Sequence, residues 1–153
     1  MFDVLVYVFE NYLPGACPGP DALARRLAAA GFEDDEISAA LNWLAGLEQA
    51  HEDGSLQRLP EAKGMRVYCP TEVNKLPADC RGLLAYLEGE RAIDVTAREM
   101  IVERAMAVDA AVVSLAKFKV IVLMVMWRRQ LALDHLVFED MLAEDEDLPA
   151  LMH

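Results

Sequence analysis

A mainly α fold is predicted, with a winged-helix-like N-terminal subdomain that carries a short β-hairpin, packed on a C-terminal helical bundle. Three observations predict it. Apolar residues recur at helical spacing along most of the 153 residues. Proline and glycine interrupt that spacing at a few defined places. The strand-like stretches lie close together, between residues 56 and 69. With 55% hydrophobic and 26% charged residues, the chain can bury a sizeable core. The expected organisation is a winged-helix-like subdomain over residues 1–70, a helical subdomain over 71–145 and an acidic tail over 146–153.

The elements follow in order. Phe2, Leu5, Val6, Phe9 and Leu13 stand at i, i+3, i+4, i+7 and i+11, one helical stripe that Val4, Val8 and Tyr12 widen. Such a helix is buried on two sides. Pro14, Pro18 and Pro20, with Gly15 and Gly19 between them, cannot continue it, because proline removes backbone donors and fixes φ. A second helix starts near Asp21 and turns Leu23, Ala24, Leu27 and Ala28 inward. Gly31 then supplies a left-handed stop and Phe32 its hydrophobic contact. Asp34 or Asp35 caps a third helix, over residues 35–49. Its stripe is Ile37, Leu41, Leu44 and Glu48, with Ala40 beside it and Trp43 and Leu47 as a flanking pair. Two helices joined by Gly31-Phe32-Glu33-Asp34 have a helix-turn-helix shape. The strand-like residues 56–59 and 65–69, with a turn at 60–64, extend it to a winged helix.

Pro70-Thr71-Glu72 opens a short turn or helix, and Pro77 sits where proline favours a first helical turn. Leu83, Leu84 and Leu87 form the apolar side of a helix that ends at about Gly89. Asp94 or Thr96 caps the next, where Ile101, Val102, Ala105, Met106 and Val108 make a broad apolar face and Asp94 with Arg98 a favourable i,i+4 pair. After Asp109, Leu115, Phe118, Ile121, Val122, Val125 and Met126 keep helical spacing while Leu123, Met124 and Trp127 fill the other side. A helix apolar all round is the centre of a bundle. Asp134 starts a last helix through Leu142, and Glu144-Asp145-Glu146-Asp147 reads as a solvated tail.

Charge excludes more than it assigns. The 26 acidic and 14 basic side chains give −12, which argues against a general phosphate-backbone binder. The third helix begins Glu33-Asp34-Asp35-Glu36 and holds no Lys or Arg, whereas a DNA-reading helix presents Arg, Lys, Asn or Gln to base edges. Its geometry points to protein contact. Lys117, Lys119, Arg128 and Arg129 are the densest basic group and read as a snorkelling rim around a core helix, the alternative being a small anion or RNA contact. The longest apolar run, residues 120–127, falls well short of the roughly 20 residues a bilayer-spanning helix needs. Asp3 and Glu10 stand where a secretory signal would carry positive charge, so a cytoplasmic location without membrane contact is expected.

Constellations that could carry chemistry are sparse. Cys17, Cys69 and Cys80 are odd in number and without CxxC spacing, which predicts reduced, structural thiols. Cys80-Arg81 could place a cation beside a thiolate, but no His lies nearby in sequence to complete a dyad. Glu48-Gln49-Ala50-His51 is a single Glu-x-x-His where a di-metal bundle site needs two, so His51 reads as a helix-end residue favoured by the dipole. Glu99 and Glu103 share a face one turn apart, flanked by Arg98 and Arg104, and read as a salt-bridged, solvated surface. Phosphate loops and the GxSxG elbow are missing from the sequence. No cofactor, no metal and no catalytic residue is expected.

Several segments carry a resemblance: Met1-Phe2-Asp3-Val4-Leu5, Gly31-Phe32, Ala40-Leu41-Asn42-Trp43-Leu44, Met65-Arg66-Val67-Tyr68, Cys80-Arg81-Gly82-Leu83-Leu84, residues 98–104 and residues 121–125. In that order and spacing they resemble the Smg protein family of proteobacteria, formerly a domain of unknown function. The resemblance covers about residues 1–127 and stops after Trp127, where Arg128-Arg129 and the acidic run depart from it. It implies a small cytoplasmic bacterial protein without established enzymatic activity, whose genes often neighbour those of DNA processing and tRNA modification. The expected function is a non-catalytic interaction module, an adaptor or regulator whose partner is a protein with a basic or apolar surface. Asp34, Asp35, Glu36, Asn42 and Trp43 form its expected contact face, with Arg98, Glu99 and Arg104 as a second. The alternative is nucleic-acid binding through the hairpin and the Lys117, Lys119, Arg128, Arg129 group.

Overall fold

The computed structural model describes residues 1–52 and 66–130, and these are mainly helical. Among them are seven α-helices, one 3-10 turn and no strand. The helices are α1 (Phe2–Asn11), α2 (Pro20–Ala29), α3 (Asp34–Glu52), α4 (Pro70–Lys75), α5 (Ala78–Gly89), α6 (Val95–Met106) and α7 (Leu115–Arg129), with the 3-10 turn at Pro14–Ala16. The expected second hairpin arm is non-helical and unpaired over residues 66–69. Instead of pairing as a strand, it prepares α4: the Cys69 N–H donates to Glu72 Oε1 at 3.0 Å, a side-chain cap of the kind that starts helices. The first arm and the turn, residues 56–64, lie outside the described residues, as do the expected helix over 134–142 and the acidic tail.

Helix α7 is the axis of the core. Every residue from Phe118 to Met126 is buried, and α1, α3, α5 and α6 all pack on it. Helix α3 in turn packs on α1, α2 and α6. Side chains from both sides of residue 70 share one hydrophobic cluster, including Leu5, Leu27 and Leu47 with Leu84, Ile101 and Phe118. The first helix buries Val4, Leu5, Val6 and Val8, while Leu13 falls past its end and is 74% exposed. Proline at 14 stops the helix before the stripe is complete.

The stop after α2 is as expected and geometrically complete. Gly31 has φ +102°, its N–H donates to Ala28 O at 3.1 Å, and the Phe32 N–H donates to Leu27 O at 3.2 Å. This is the Schellman arrangement. The Phe32 ring then meets Tyr7 edge-on at 5.5 Å, which ties the turn to α1. Helix α3 begins at Asp34, one residue earlier than expected, and its buried side is Ile37, Ala40, Trp43, Leu47 and Ala50. The stripe is therefore rotated toward the Trp43/Leu47 pair, leaving Leu41, Leu44 and Glu48 half-buried.

Two clamps join elements far apart in sequence. Lys75, at the end of α4, donates from Nζ to Met106 O at 2.7 Å and also to Val108 O, closing the carbonyls that the end of α6 leaves free. Its own carbonyl accepts from the Val113 N–H at 2.9 Å. Asp94 caps α6 by accepting from the Ala97 N–H at 2.7 Å, as expected. It does not pair with Arg98, which turns to Glu88 and Glu99; Asp94 Oδ2 meets Arg129 Nη2 at 3.3 Å instead.

Candidate functional site

The acidic residues at the start of α3 are mostly open to solvent. Glu33, Asp34 and Asp35 are exposed and Glu36 is half-buried. Asp35, Ser38, Asn42, Ala45, Gln49 and Glu52 follow at steps of three and four residues and are all exposed, forming one helix face without Lys or Arg. Acids in the first turn also suit the positive end of the helix dipole. Asn42 thus stands on the expected contact face.

Trp43 is placed elsewhere, 4% exposed and inside the core. Its indole Nε1 donates to Arg104 O at 3.1 Å, and Arg104 Nη1 donates back to Trp43 O at 2.9 Å. Arg104 Cζ lies 5.6 Å from the Trp43 ring centroid, within cation–π range. This reciprocal joint between α3 and α6 needs Gly46: a Cβ there would fall 2.3 Å from Arg104 Nη1. A glycine in mid-helix is unfavourable by about 1 kcal/mol relative to alanine, and the close approach of Arg104 explains its presence. Arg104 is 7% exposed and Arg98 6%, so the expected second face is interior at its arginines. Glu99 is partly exposed, and Glu103 beside it has a more exposed carboxylate paired to Arg104 Nε at 2.6 Å.

Arg98 and Glu99 belong to a continuous ionic chain, Glu72–Arg66–Glu99–Arg98–Glu88. Arg66 forks onto both partners, with Nη1 and Nη2 each 3.0 Å from Glu72 and Nε 2.7 Å from Glu99 Oε2. Arg98 Nε donates to the same Glu99 oxygen at 3.0 Å, and its Nη1 reaches Glu88 at 2.9 Å. Burial by itself would raise the Glu99 carboxyl, but hydrogen bonds from Arg66 and Arg98 outweigh it and hold Glu99 below the usual carboxylate range. The Arg66 fork holds Glu72 below it too.

Beside this chain lies a cavity of about 590 Å³. Its floor is the Gly82, Ala85 and Gly89 face of α5, and Tyr68, Leu84 and Val73 form its apolar walls. Arg66 Cζ sits 4.8 Å from the Tyr68 ring centroid and Arg81 Cζ 6.0 Å. Burial pushes the Tyr68 phenol up, so it stays a neutral donor. Arg81 Nε donates to Leu76 O at 3.0 Å, and its two η nitrogens have no partner among the described residues. Residue spacing could not single out Arg66, Tyr68 and Arg81, because their meeting depends on how the 66–69 segment crosses α5.

The remaining candidates are placed as follows. Cys80 is fully buried and burial pushes its thiol up to about 12, with Asp79 adding to the effect; Arg81 is engaged at Leu76 O. Cys17 is half-buried and Cys69 exposed. Glu48 is bound by Arg128, with Oε1 2.6 Å from Nη2. His51 is held below its usual value by burial and then by Arg128, contrary to the expectation from the helix dipole alone. Of the basic group, Arg128 and Arg129 are ion-paired, Lys117 Nζ lies 5.5 Å from the Phe2 ring centroid, and Lys119 is buried with no hydrogen-bond partner for Nζ among the described residues. A snorkelling rim thus describes Lys119 wrongly. Among the described residues no group of three His, Cys, Asp or Glu side chains could hold a metal ion, and no helix is long and apolar enough to cross a membrane.

Comparison with known proteins gives one family. The family model described as "Protein of unknown function (DUF494)" matches residues 1–151, so the likeness continues past Trp127 instead of stopping there. The Protein Smg homolog of Aromatoleum aromaticum is 49% identical over 148 residues, covering 96% of each chain. That of an Azoarcus species is 46% identical over 155 residues and 100% of each, and that of Bordetella petrii 44% identical over 146 residues. No solved structure matches the chain.

Proposed function

The chain belongs to the family of Smg proteins, which has no established function, and from that premise we propose that it is a non-catalytic cytoplasmic interaction module. In this reading it is an adaptor or regulator that offers the acidic face of α3 to a protein with a basic surface. The pair α2–α3 serves as a helix-turn-helix scaffold turned to protein contact instead of DNA. The observation that supports this is the α3 solvent face, which carries Asp35 and Glu52 and no basic residue, with exposed Glu33 and Asp34 beside it at the start of the helix. Such a face steers and selects a basic partner more than it adds affinity. Of the basic group that the nucleic-acid alternative would use, Lys117 is exposed, Arg128 and Arg129 are ion-paired and Lys119 is buried.

Affinity purification from the native cytoplasm, with and without nuclease, tests the reading when the wild type is compared with the triple variant Asp34→Ser, Asp35→Ser, Glu36→Ser. Serine retains capping ability at a helix start, so the variant is expected to fold. A stoichiometric, nuclease-resistant protein that the triple variant captures less well is the expected result. Unchanged capture by the variant, or recovery of nucleic acid alone, would refute the proposal.

A further inference from the structure

We propose that the cavity between Tyr68 and Arg81 is a binding site for a small free carboxylate with an apolar body. The site is separate from the α3 face, so its test does not depend on the adaptor reading. Its volume, about 590 Å³, is that of a small-ligand pocket and not of an extended protein groove. Its lining combines apolar and small residues, Val73, Gly82, Leu84, Ala85 and Gly89, with Tyr68 and the charged side chains of Arg66, Arg81, Glu88 and Arg98. The apolar part is a trough with a flat floor because Gly82 and Gly89 carry no side chain, and nothing lies within 4 Å of where a Cβ at either would stand. An aromatic or branched body laid there contacts Leu84, Ala85 and the Tyr68 ring.

The charged part has spare donors. Arg66 is occupied by Glu72 and Glu99, and Arg98 by Glu88 and Glu99. Arg81 differs: its Nε is fixed to Leu76 O, which orients the guanidinium, while both η nitrogens are left without an acceptor among the described residues. An oriented guanidinium edge whose η N–H groups meet no acceptor among the described residues matches a carboxylate in a paired, planar fork. The surrounding formal charges, Arg66, Arg81 and Arg98 against Glu72, Glu88 and Glu99, cancel. The ligand is therefore held by the fork and the trough, not by a positive field, which selects a single carboxylate over a polyanion.

The test is a titration of the isotope-labelled full chain with 3-phenylpropionate, followed by NMR. Saturable shifts are expected at the Gly82 and Gly89 amides and at Tyr68. The neutral amide of the same acid is expected to bind at least about tenfold more weakly, as is the acid to Arg81→Met. Gly82→Leu, which favours the helix and leaves Arg81 intact, fills the floor and is expected to weaken binding by a similar factor; it keeps the test alive if Arg81→Met folds poorly. Equal binding of acid and amide, wild-type affinity in either folded variant, or no saturable shift would overturn the proposal. Equal binding of an acetylated tripeptide ending in phenylalanine would overturn the small-ligand assignment.

Discussion

Replacing Gly46 by alanine ought to stabilise a helix, and here it is expected to do the opposite. Alanine gains about 1 kcal/mol over glycine inside a helix. The new Cβ, however, would lie 2.3 Å from Arg104 Nη1 and 2.7 Å from its Cζ, closer than any real contact, so the guanidinium must leave. Leaving breaks the 2.9 Å bond to Trp43 O, a hydrogen bond from a charged donor that contributes about 1.5–3 kcal/mol. It also ends the stacking over Trp43, which contributes about 0.5–1 kcal/mol or more. The net expectation is a loss of about 1–3 kcal/mol, or several degrees in Tm at about 2–4 °C per kcal/mol for a chain of this size. In an Arg104→Met background the clashing atoms are gone, and Gly46→Ala should then stabilise by up to about 1 kcal/mol. Urea and thermal melts of the wild type, both single variants and the double variant read this directly. The reasoning fails if Gly46→Ala is neutral or stabilising in the wild type, or if its sign is the same in both backgrounds.

Other perturbations have equally definite outcomes. Lys119→Met removes a buried Nζ that has no partner among the described residues and keeps the side-chain volume, so denaturant melts should show a gain of about 1–3 kcal/mol. Gly31→Ala forces a side chain onto a backbone with φ +102° and should cost about 1–2 kcal/mol, measured the same way. Glu48, Glu72 and Glu99 have carboxyls held below their unfolded values, so their contribution is complete above about pH 4.3 and fades as pH falls through the folded values. Tm should fall as pH is lowered through the unfolded carboxylate range toward the lower folded values, and Glu99→Gln should make that fall shallower while lowering Tm at neutral pH. Cys69 should label readily with iodoacetamide in the native protein, whereas Cys80, buried and with its thiol pushed up to about 12, should label only on unfolding.

Where one helix stops and the next begins was readable from local chemistry. Pro14, the Gly31-Phe32 pair, Pro77, Gly89 and Asp94 each act through the backbone within a few residues, so no tertiary information is needed to place them. The all-round apolar run of α7 likewise announced a central helix. The phase of α3 was not readable, because Leu41/Leu44 and Trp43/Leu47 offer two apolar stripes of similar quality. The choice is made by α6, whose Arg104 needs the bare backbone at Gly46 and brings Trp43 inward with it. The site residues fared unevenly for the same reason. Asp34, Asp35 and Asn42 lie on an outward face that helical spacing alone defines, whereas the partners of Arg66 and Arg98 are set by segments up to 33 residues away. Charge pairing of that range leaves no periodic trace in a sequence.

The chain has two tryptophans, and each indole donates to a distant backbone carbonyl: Trp43 to Arg104 at 3.1 Å and Trp127 to Tyr12 at 2.8 Å. They are in effect two built-in fluorophores, one seated at the α3–α6 joint and the other where the end of α7 meets the chain leaving α1. Trp43→Phe and Trp127→Phe would each isolate the emission of the remaining ring, letting a spectrometer follow the two joints separately during unfolding. Coincident transitions would mean that the N-terminal helices and α6 come apart as one cooperative body. Separated transitions would tell which joint opens first, and so which surface a partner could prise apart at least cost.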